Sequence, residues 1–343
     1  MNVILTGISE CRKNEYAKEA QKLAKRNGKE LRLYSVGSEM SRVLQQFCHV
    51  TDEHILNKSD EVLAIAAGSA IKDLRIKQLE EQLRACEKQQ AYAAPVTLVS
   101  THATFPWKNI ERKSHNLPYL PDLDPELFIT IIDMERTIEE RLKKNKQWQS
   151  QDLSLEEISK WQDREIKETQ EWARLYGRHI LLSRNQSAET LYRVLFYPTA
   201  PLFYLSFAMS HVQKQAEGDK EINRLKEGME RYGPVVDPRT GDVRGETNPV
   251  LLDQTTERDR IYSTQCDINT VYIAENVFTV GAVTELIKAH GASRKTHLIF
   301  PKEKFPDRTP GPFERFYSTK IFESIESYLE YLAQEYSPLP EID

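Results

Sequence analysis

The chain has little of what would place it in a membrane, in a disulfide scaffold or on nucleic acid. No window approaches the roughly 20 apolar residues needed to span a bilayer. The opening Met1-Asn2-Val3-Ile4-Leu5-Thr6 has neither the basic lead nor the long apolar run of a secretory signal. A cytoplasmic protein without a membrane partner is the expectation. Cysteine is scarce: Cys11, Cys48, Cys86 and Cys266 are the four in 343 residues, with no Cys-x-x-Cys spacing and no companion histidine at zinc-finger spacing. They read as separate, reduced, structural thiols, and no metal site is expected. A positive surplus is also missing. The 47 lysines and arginines are outnumbered by 52 acidic residues, a net charge of -5, which argues against the concentrated basic face of a nucleic-acid footprint. Internal repeats and low-complexity tracts are absent.

What is present is an alternation of short apolar runs with longer helical ones. Asn2 to Thr6, Leu31 to Ser35, Val96 to Ser100, Leu127 to Asp133 and His179 to Ser183 read as strands. Glu15 to Lys25, Ser154 to Tyr176 and Ala188 to Leu195 read as helices, and Thr51-Asp52-Glu53 opens a further helical stretch. Tyr197-Pro198-Thr199-Ala200-Pro201 is a stiff, proline-bounded connection, so the expected domains are 1–196 and 201–343. Past it, Leu202 to Phe207, Val235-Val236, Ile268 to Ala274 and Thr296 to Phe300 read as strands. Between and after them come helices at Asp219 to Arg231, around Asp253 to Gln265, from Gly281 to Ala289 and from Ile321 to Glu335. The order predicts an α/β chain of two three-layer domains, each a parallel sheet covered by helices. Ligands bind such sheets at the carboxyl ends of the strands, where Ser206, Asp237, Asp267 and Thr279 are expected on one rim.

Two stretches carry chemistry. Gly7-Ile8-Ser9-Glu10-Cys11-Arg12-Lys13-Asn14 has the spacing of the phosphate-cradling Gly-x-x-x-x-Gly-Lys-Ser/Thr loop, but Arg12 stands for the second glycine and Asn14 for the hydroxyl residue. Gly7 and Lys13 remain as nucleotide-binding candidates. Near the other end, the strand from Ile268 runs through Thr279-Val280-Gly281 into a helix that carries Glu285 in its first turns. Such a turn offers free N–H groups, a hydroxyl and a positive dipole end to an anion. On spacing alone Glu285 is either a reactive carboxylate or a complement to the dipole, and Asp267 either a functional acid or a solvated strand end.

The first half, to about Phe196, resembles archaeal-type adenylate kinases and related small P-loop nucleotide kinases. Gly37-Ser38-Glu39-Met40 stands where those kinases have Gly-Asp-x-Met at the acceptor nucleotide, and Ser100-Thr101-His102 where they have Asp-Thr-His. The resemblance implies a degenerate kinase fold holding ATP or another nucleotide, with Arg136 and Arg141 in the region of the lid arginines; a solvated helix face is the other reading of that pair. With Ser100 and Asn14 in place of metal-handling groups, a need for Mg²⁺ stays open. The second half, from about Pro201 to Tyr336, resembles the nucleoside 2-deoxyribosyltransferases and their nucleotide N-glycosidase relatives, through Asp267, the apolar strand and Thr279-Val280-Gly281-Ala282-Val283-Thr284-Glu285. That implies a Rossmann- or flavodoxin-like domain in which Glu285 is the nucleophile on sugar C1′, Asp267 a second acid, and Thr279 with the N–H groups near Gly281 the grip on a 5′-phosphate. Tyr204, Ser206 and Asp237 would line the substrate, Phe207 would crowd or stack on the base, and Arg258 and Arg260 would be phosphate partners or surface ion pairs. No cofactor is required for that chemistry. Sites in that family are often completed across a homodimer or higher homo-oligomer, a role open to Pro310 to Tyr317.

Three functions compete: a nucleotide- or nucleoside-directed N-glycosidase or deoxyribosyltransferase, a nucleotide kinase with loose motifs, and a non-catalytic nucleotide sensor or assembly subunit, for which a stress or phage-defence role is an analogy. The first is preferred, because the acidic pair and phosphate turn of the second half are intact while the loop of the first is altered.

Overall fold

The computed structural model describes residues 1–48, 52–87, 95–108, 110–208, 216–241, 248–273 and 280–342. Its contacts divide it into two units, Met1–Arg184 and Asn185–Asp343. The division falls before the proline-bounded connection. The helix α6 (Ala188–Phe196) belongs to the second unit, where the Arg193 guanidinium donates to the Glu230 carbonyl and Gln186 Nε2 donates to the Asp237 carbonyl at 2.9 Å. No described helix is long and apolar enough to cross a membrane.

In the first unit the chain runs β1 (Asn2–Thr6), α1 (Lys13–Arg26), β2 (Leu31–Ser35), α2 (Val36–Cys48), α3 (Asp60–Glu87) and β3 (Val96–Ser100). A short antiparallel pair follows, β4 (Thr104–Trp107) with β5 (Ile110–Lys113), then β6 (Leu127–Ile132), α4 (Glu135–Leu142), α5 (Leu155–Tyr176) and β7 (Arg178–Ser183). The main sheet is parallel throughout, in the order β2-β3-β1-β6-β7. Every residue of β3 and β6 is buried, as expected of strands covered on both faces, which read as continuous apolar runs. The β4–β5 pair was not expected; runs of four residues are too short to show a period.

The second unit continues with β8 (Phe203–Phe207), α7 (Ala216–Glu230), β9 (Val235–Val236), α8 (Pro249–Gln265), β10 (Ile268–Tyr272), α9 (Val280–Gly291), β11 (Lys295–Ile299), α10 (Pro312–Tyr317), β12 (Lys320–Phe322) and α11 (Ile325–Glu335). Its sheet is also all parallel, in the order β12-β11-β10-β8-β9. The closing helix begins at Ile325, later than the expected Ile321. Ser324 accepts from the Ser327 N–H at 3.0 Å and caps it, which frees Lys320 to Phe322 to add an edge strand. Thus both halves have the expected α/β architecture. In the second, β8 is first in sequence and lies between β9 and β10, so the strand order reverses there; a crevice opens at such a reversal, outside the carboxyl ends of the strands.

Gly7 stands immediately after β1 with φ +146°, and a Cβ at that position would sit 2.6 Å from the Ile131 carbonyl oxygen and 2.8 Å from Cys11 Sγ. Gly28 has φ +67° with open space around it. Gly7→Ala should therefore cost about 2 to 4 kcal/mol, from overpacking against backbone as well as strain, and Gly28→Ala only about 1 kcal/mol. Urea unfolding followed by tryptophan emission measures both in the first unit, because all four tryptophans, Trp107, Trp148, Trp161 and Trp172, lie there. Equal losses at the two positions would refute the steric argument.

Candidate functional site

In β8 the side chains alternate between faces. Phe203, Leu205 and Phe207 enter a core with Ile222 and Leu225 of α7 and Tyr328 and Leu332 of α11. Tyr204 and Ser206, both fully buried, take the opposite face. That face is covered by α9, which packs Ala282 and Leu286 on Val271, Ile273 and Leu298. From the second turn of α9, Glu285 reaches β8. Tyr204 Oη donates to Glu285 Oε1 at 3.1 Å, and Ser206 Oγ donates to Oε2. Each carboxylate oxygen thus has its own hydroxyl, both from one strand two residues apart.

Burial pushes the Glu285 carboxyl up to about 7, against the two hydroxyl bonds, which favour the ionised form. Burial also raises the Tyr204 phenol well above its ordinary value, helped by the charges of Glu285 and Asp259. Asp259 is half-buried on α8, one turn before Tyr262, whose ring stacks on Tyr204 with centroids 6.3 Å apart. Sequence reasoning missed Asp259: among Glu257, Arg258 and Arg260 it looks like part of a salt-bridged surface, and only the helix orientation brings its charge to Tyr204. Gly281 is exposed, and a Cβ there would meet nothing within 4 Å. Gly281 stands in the first turn of α9, whose N–H groups have no partner within the helix. Thr279, expected as the phosphate-binding hydroxyl, lies outside the described residues.

Three expectations need correction. Asp267 precedes β10 and sits at the amino end of the sheet: its N–H donates to the Leu202 carbonyl at 2.8 Å and its Oδ2 accepts from the Leu202 N–H at 2.9 Å. Ser206 pairs in register with Val271, four residues further on, about 13 Å along the strand. Asp267 therefore ties β10 to the start of β8 and does not share a rim with Glu285. Asp237 does fall at the carboxyl end of β9, but its carboxylate is occupied by Arg239, with Nε at 3.0 Å and Nη2 at 2.7 Å. Phe207 faces away from the Glu285 side and cannot crowd a base there. Of the two α8 arginines, Arg260 pairs with Glu257, Nε to Oε2 at 2.8 Å, and Arg258 is buried.

In the first unit the loop after β1 is held inward. Lys13 is buried, its Nζ donating to the Gly7 carbonyl at 2.8 Å and lying 3.2 Å from His102 Nε2; burial lowers its pKa. The Gly7 N–H donates to Glu165 Oε1 at 3.0 Å. Asn14 and Ser100, at the two altered metal-handling positions, bond to each other, Ser100 Oγ to Asn14 Oδ1 at 2.6 Å. Arg141 clamps the loop itself, donating to the Glu10 carbonyl at 2.8 Å and to Asp133 Oδ2 at 2.7 Å, while Arg136 is exposed on α4. Gly7, Lys13 and Arg141 are thus brought together at this loop. Glu165, which no motif marks, is fully buried and accepts from Gly7, Ala103 and Thr104.

No protein-family model matches the chain, and no curated protein does. Among solved structures, the CMP N-glycosidase of Clostridium botulinum aligns with 38% of this chain and 98% of its own, at 17% identity and a TM-score of 0.27. A likeness at that level does not assign an activity.

The raised Glu285 pKa fixes the sign of a pH effect. The folded value, about 7, lies above the ordinary 4.5, so the folded chain holds the proton more tightly than the unfolded chain. The resulting stabilisation is complete below about pH 4.5 and is lost as pH rises through about 7. Between those limits the wild type should lose roughly 2 to 3 kcal/mol relative to Glu285→Gln, which cannot ionise. Urea midpoints of the second unit, read from its tyrosine signal, test this; parallel pH profiles would contradict it.

Proposed function

We propose that the second unit breaks the N-glycosidic bond of a nucleotide or nucleoside, with Glu285 as nucleophile. The observation that supports this reading most directly is the pairing of each Glu285 oxygen with a separate buried hydroxyl, at the point where the strand order reverses. A carboxylate so oriented and partly desolvated suits attack on an oxocarbenium-like sugar, as in retaining glycosidases. Glu285 forms a bond to C1′ while the C1′–N bond breaks; the electron pair leaves with the base, which takes a proton. Water then cleaves the glycosyl ester and restores the carboxylate. Asp259 is the second carboxylate in this reading, in place of Asp267. The N-terminus of α9 beside Gly281 is suited to a 5′-phosphate, which favours nucleotides over nucleosides. We assign no phosphoryl transfer to the first unit: the electrostatic parts that reaction relies on are spent on internal bonds, with Lys13 on Gly7, Arg141 on Asp133 and Asn14 on Ser100.

Incubation with a panel of ribo- and deoxyribonucleoside 5′-monophosphates, nucleosides and nicotinamide dinucleotide should release free base, resolved by chromatography. Glu285→Ala should lower kcat by at least about 10³-fold, or about 4 kcal/mol of barrier, and the wild-type kcat/KM should fall below about pH 7 as the nucleophile takes up its proton. Asp267→Ala, which removes the side-chain acceptor of the Leu202 N–H, should leave kcat within about twofold and cost about 1 kcal/mol of stability, the value of one backbone hydrogen bond. Undiminished release by Glu285→Ala would end the proposal.

A further inference from the structure

β10 is the middle strand of the second sheet, and a parallel strand covered on both faces is ordinarily apolar along its length. Its side chains divide between the two faces as those of β8 do. Ile268 and Tyr272 enter the core with α7 and α11, and Thr270 bonds to Tyr328 of α11 at 2.7 Å, whereas Val271 and Ile273 pack under α9. Asn269 therefore lies on the α9 face. It has no exposure, and neither its Nδ2 nor its Oδ1 has a hydrogen-bond partner. Among the described residues it is the one buried amide side chain unpaired at both ends. Buried amides are ordinarily satisfied by protein groups or by ordered water. Leucine, of nearly the same size, would fill the place with no such requirement, so the amide points to a second group that needs it.

Such a group stands beside it. Asn269 pairs in register with Thr296 of β11 on one side and with Tyr204 of β8 on the other. Thr296 is occupied: its Oγ1 donates to the Tyr317 carbonyl at 2.6 Å and accepts from the Thr319 N–H at 3.1 Å. Tyr204 is only half-occupied. Its Oη spends its proton on Glu285 Oε1 at 3.1 Å, and the oxygen still has lone pairs to offer a donor. In-register side chains of neighbouring strands start about 4.8 Å apart, and no direct bond joins these two. One water supplies what both lack, since a buried water makes roughly two to four hydrogen bonds. We propose that Asn269 is a positioning residue: through one buried water it fills the acceptor side of Tyr204 Oη and so holds the phenol with its proton on Glu285. A donor on that oxygen also strengthens the bond the phenol makes to the carboxylate. The part Asn269 plays in the reaction rests on Glu285 as nucleophile; the water and its partners do not.

A crystal structure of the full chain gives the first readout. It should show a water within about 3.2 Å of both the Asn269 amide and Tyr204 Oη, and that water should be gone in Asn269→Leu. A wild-type map with no water joining them would overturn the proposal, whatever the chain does to nucleotides. In solution Asn269→Leu should keep or raise the urea midpoint of the second unit, while kcat for base release falls about ten- to a hundredfold and KM stays within about threefold. Asn269→Ser, which keeps a donor and leaves room for water, should recover most of that loss. A leucine variant with kcat within about twofold of wild type, or with the loss in KM instead, would show an amide that only fills space, and would sink the positioning role. A third readout needs no turnover: the pH above which the wild-type urea midpoint, measured against Glu285→Gln, stops falling. It should move upward in the Asn269→Leu background, because a loosened Tyr204 no longer favours the ionised carboxylate. The other groups that face Tyr204, namely Asp259, Tyr262 and Cys266, are the same in both backgrounds. An unmoved pH would contradict the proposal. If the water is present and this pH moves but no base is released, Glu285 loses its role as nucleophile and Asn269 keeps its hold on Tyr204.

Discussion

The second unit is built around a carboxylate withdrawn from water. Lifting Glu285 from 4.5 to about 7 corresponds to about 3 kcal/mol of preference for the neutral form. A burial of this kind is tolerated only where the group is hydrogen-bonded on both oxygens. Tyr204 and Ser206 meet that condition because they are neighbours on one face of β8, and β8 can present that face to α9 because it adjoins β10, the strand from which the chain passes to α9. The parallel order, the apolar packing of Ala282 and Leu286, and the stacking of Tyr262 on Tyr204 all serve to hold three polar groups at fixed separation. That arrangement is preorganised for charge that develops during a reaction, since the hydroxyls need not be recruited from solvent.

The first unit resolves a similar difficulty differently. Glu165 has no exposure, and burial raises its pKa, but its two oxygens accept from the N–H groups of Gly7, Ala103 and Thr104 and from the Thr104 hydroxyl, at 2.6 to 3.0 Å. This single side chain joins the loop after β1 to the loop after β3. Lys13 and Arg141 then bond to carbonyls of the first loop. A loop that resembles a phosphate cradle is thereby stabilised by its own protein, and its lysine, Lys13, is bonded to the loop's own Gly7 carbonyl.

Much of the fold was legible because strand periodicity and buried apolar runs are local properties. All five strands of the first sheet, and four of the five in the second, were identified from the sequence, as was the helix carrying Glu285. The exceptions have physical causes. The edge strand β12 has three residues and is defined by the Ser324 cap that delays α11. The β4–β5 pair depends on pairing rather than pattern. Glu285 and Tyr204 were candidates through the resemblance and Ser206 through its place at the end of a strand; that both hydroxyls meet Glu285 follows from the alternation of β8, seen in the fold. Asp267 was misassigned because adjacency to a strand does not state which end of the sheet the residue occupies, and the backbone bonds to Leu202 decide that. Asp259, Glu165 and the unpaired amide of Asn269 depend on long-range packing, for which a single sequence carries no mark.

The spacing of Tyr204 and Ser206 has a consequence for how this unit can vary. Substitutions can change either hydroxyl and leave the strand in place, but an insertion or deletion of one residue within β8 exchanges its two faces. Phe203, Leu205 and Phe207 would then point toward Glu285, and both hydroxyls would enter the core beneath α7 and α11. Such a change would lose the site and the core together. Length variation in this strand is therefore selected against by folding itself, before any loss of chemistry is felt, whereas the connections beyond its ends can change length without moving either hydroxyl off its face.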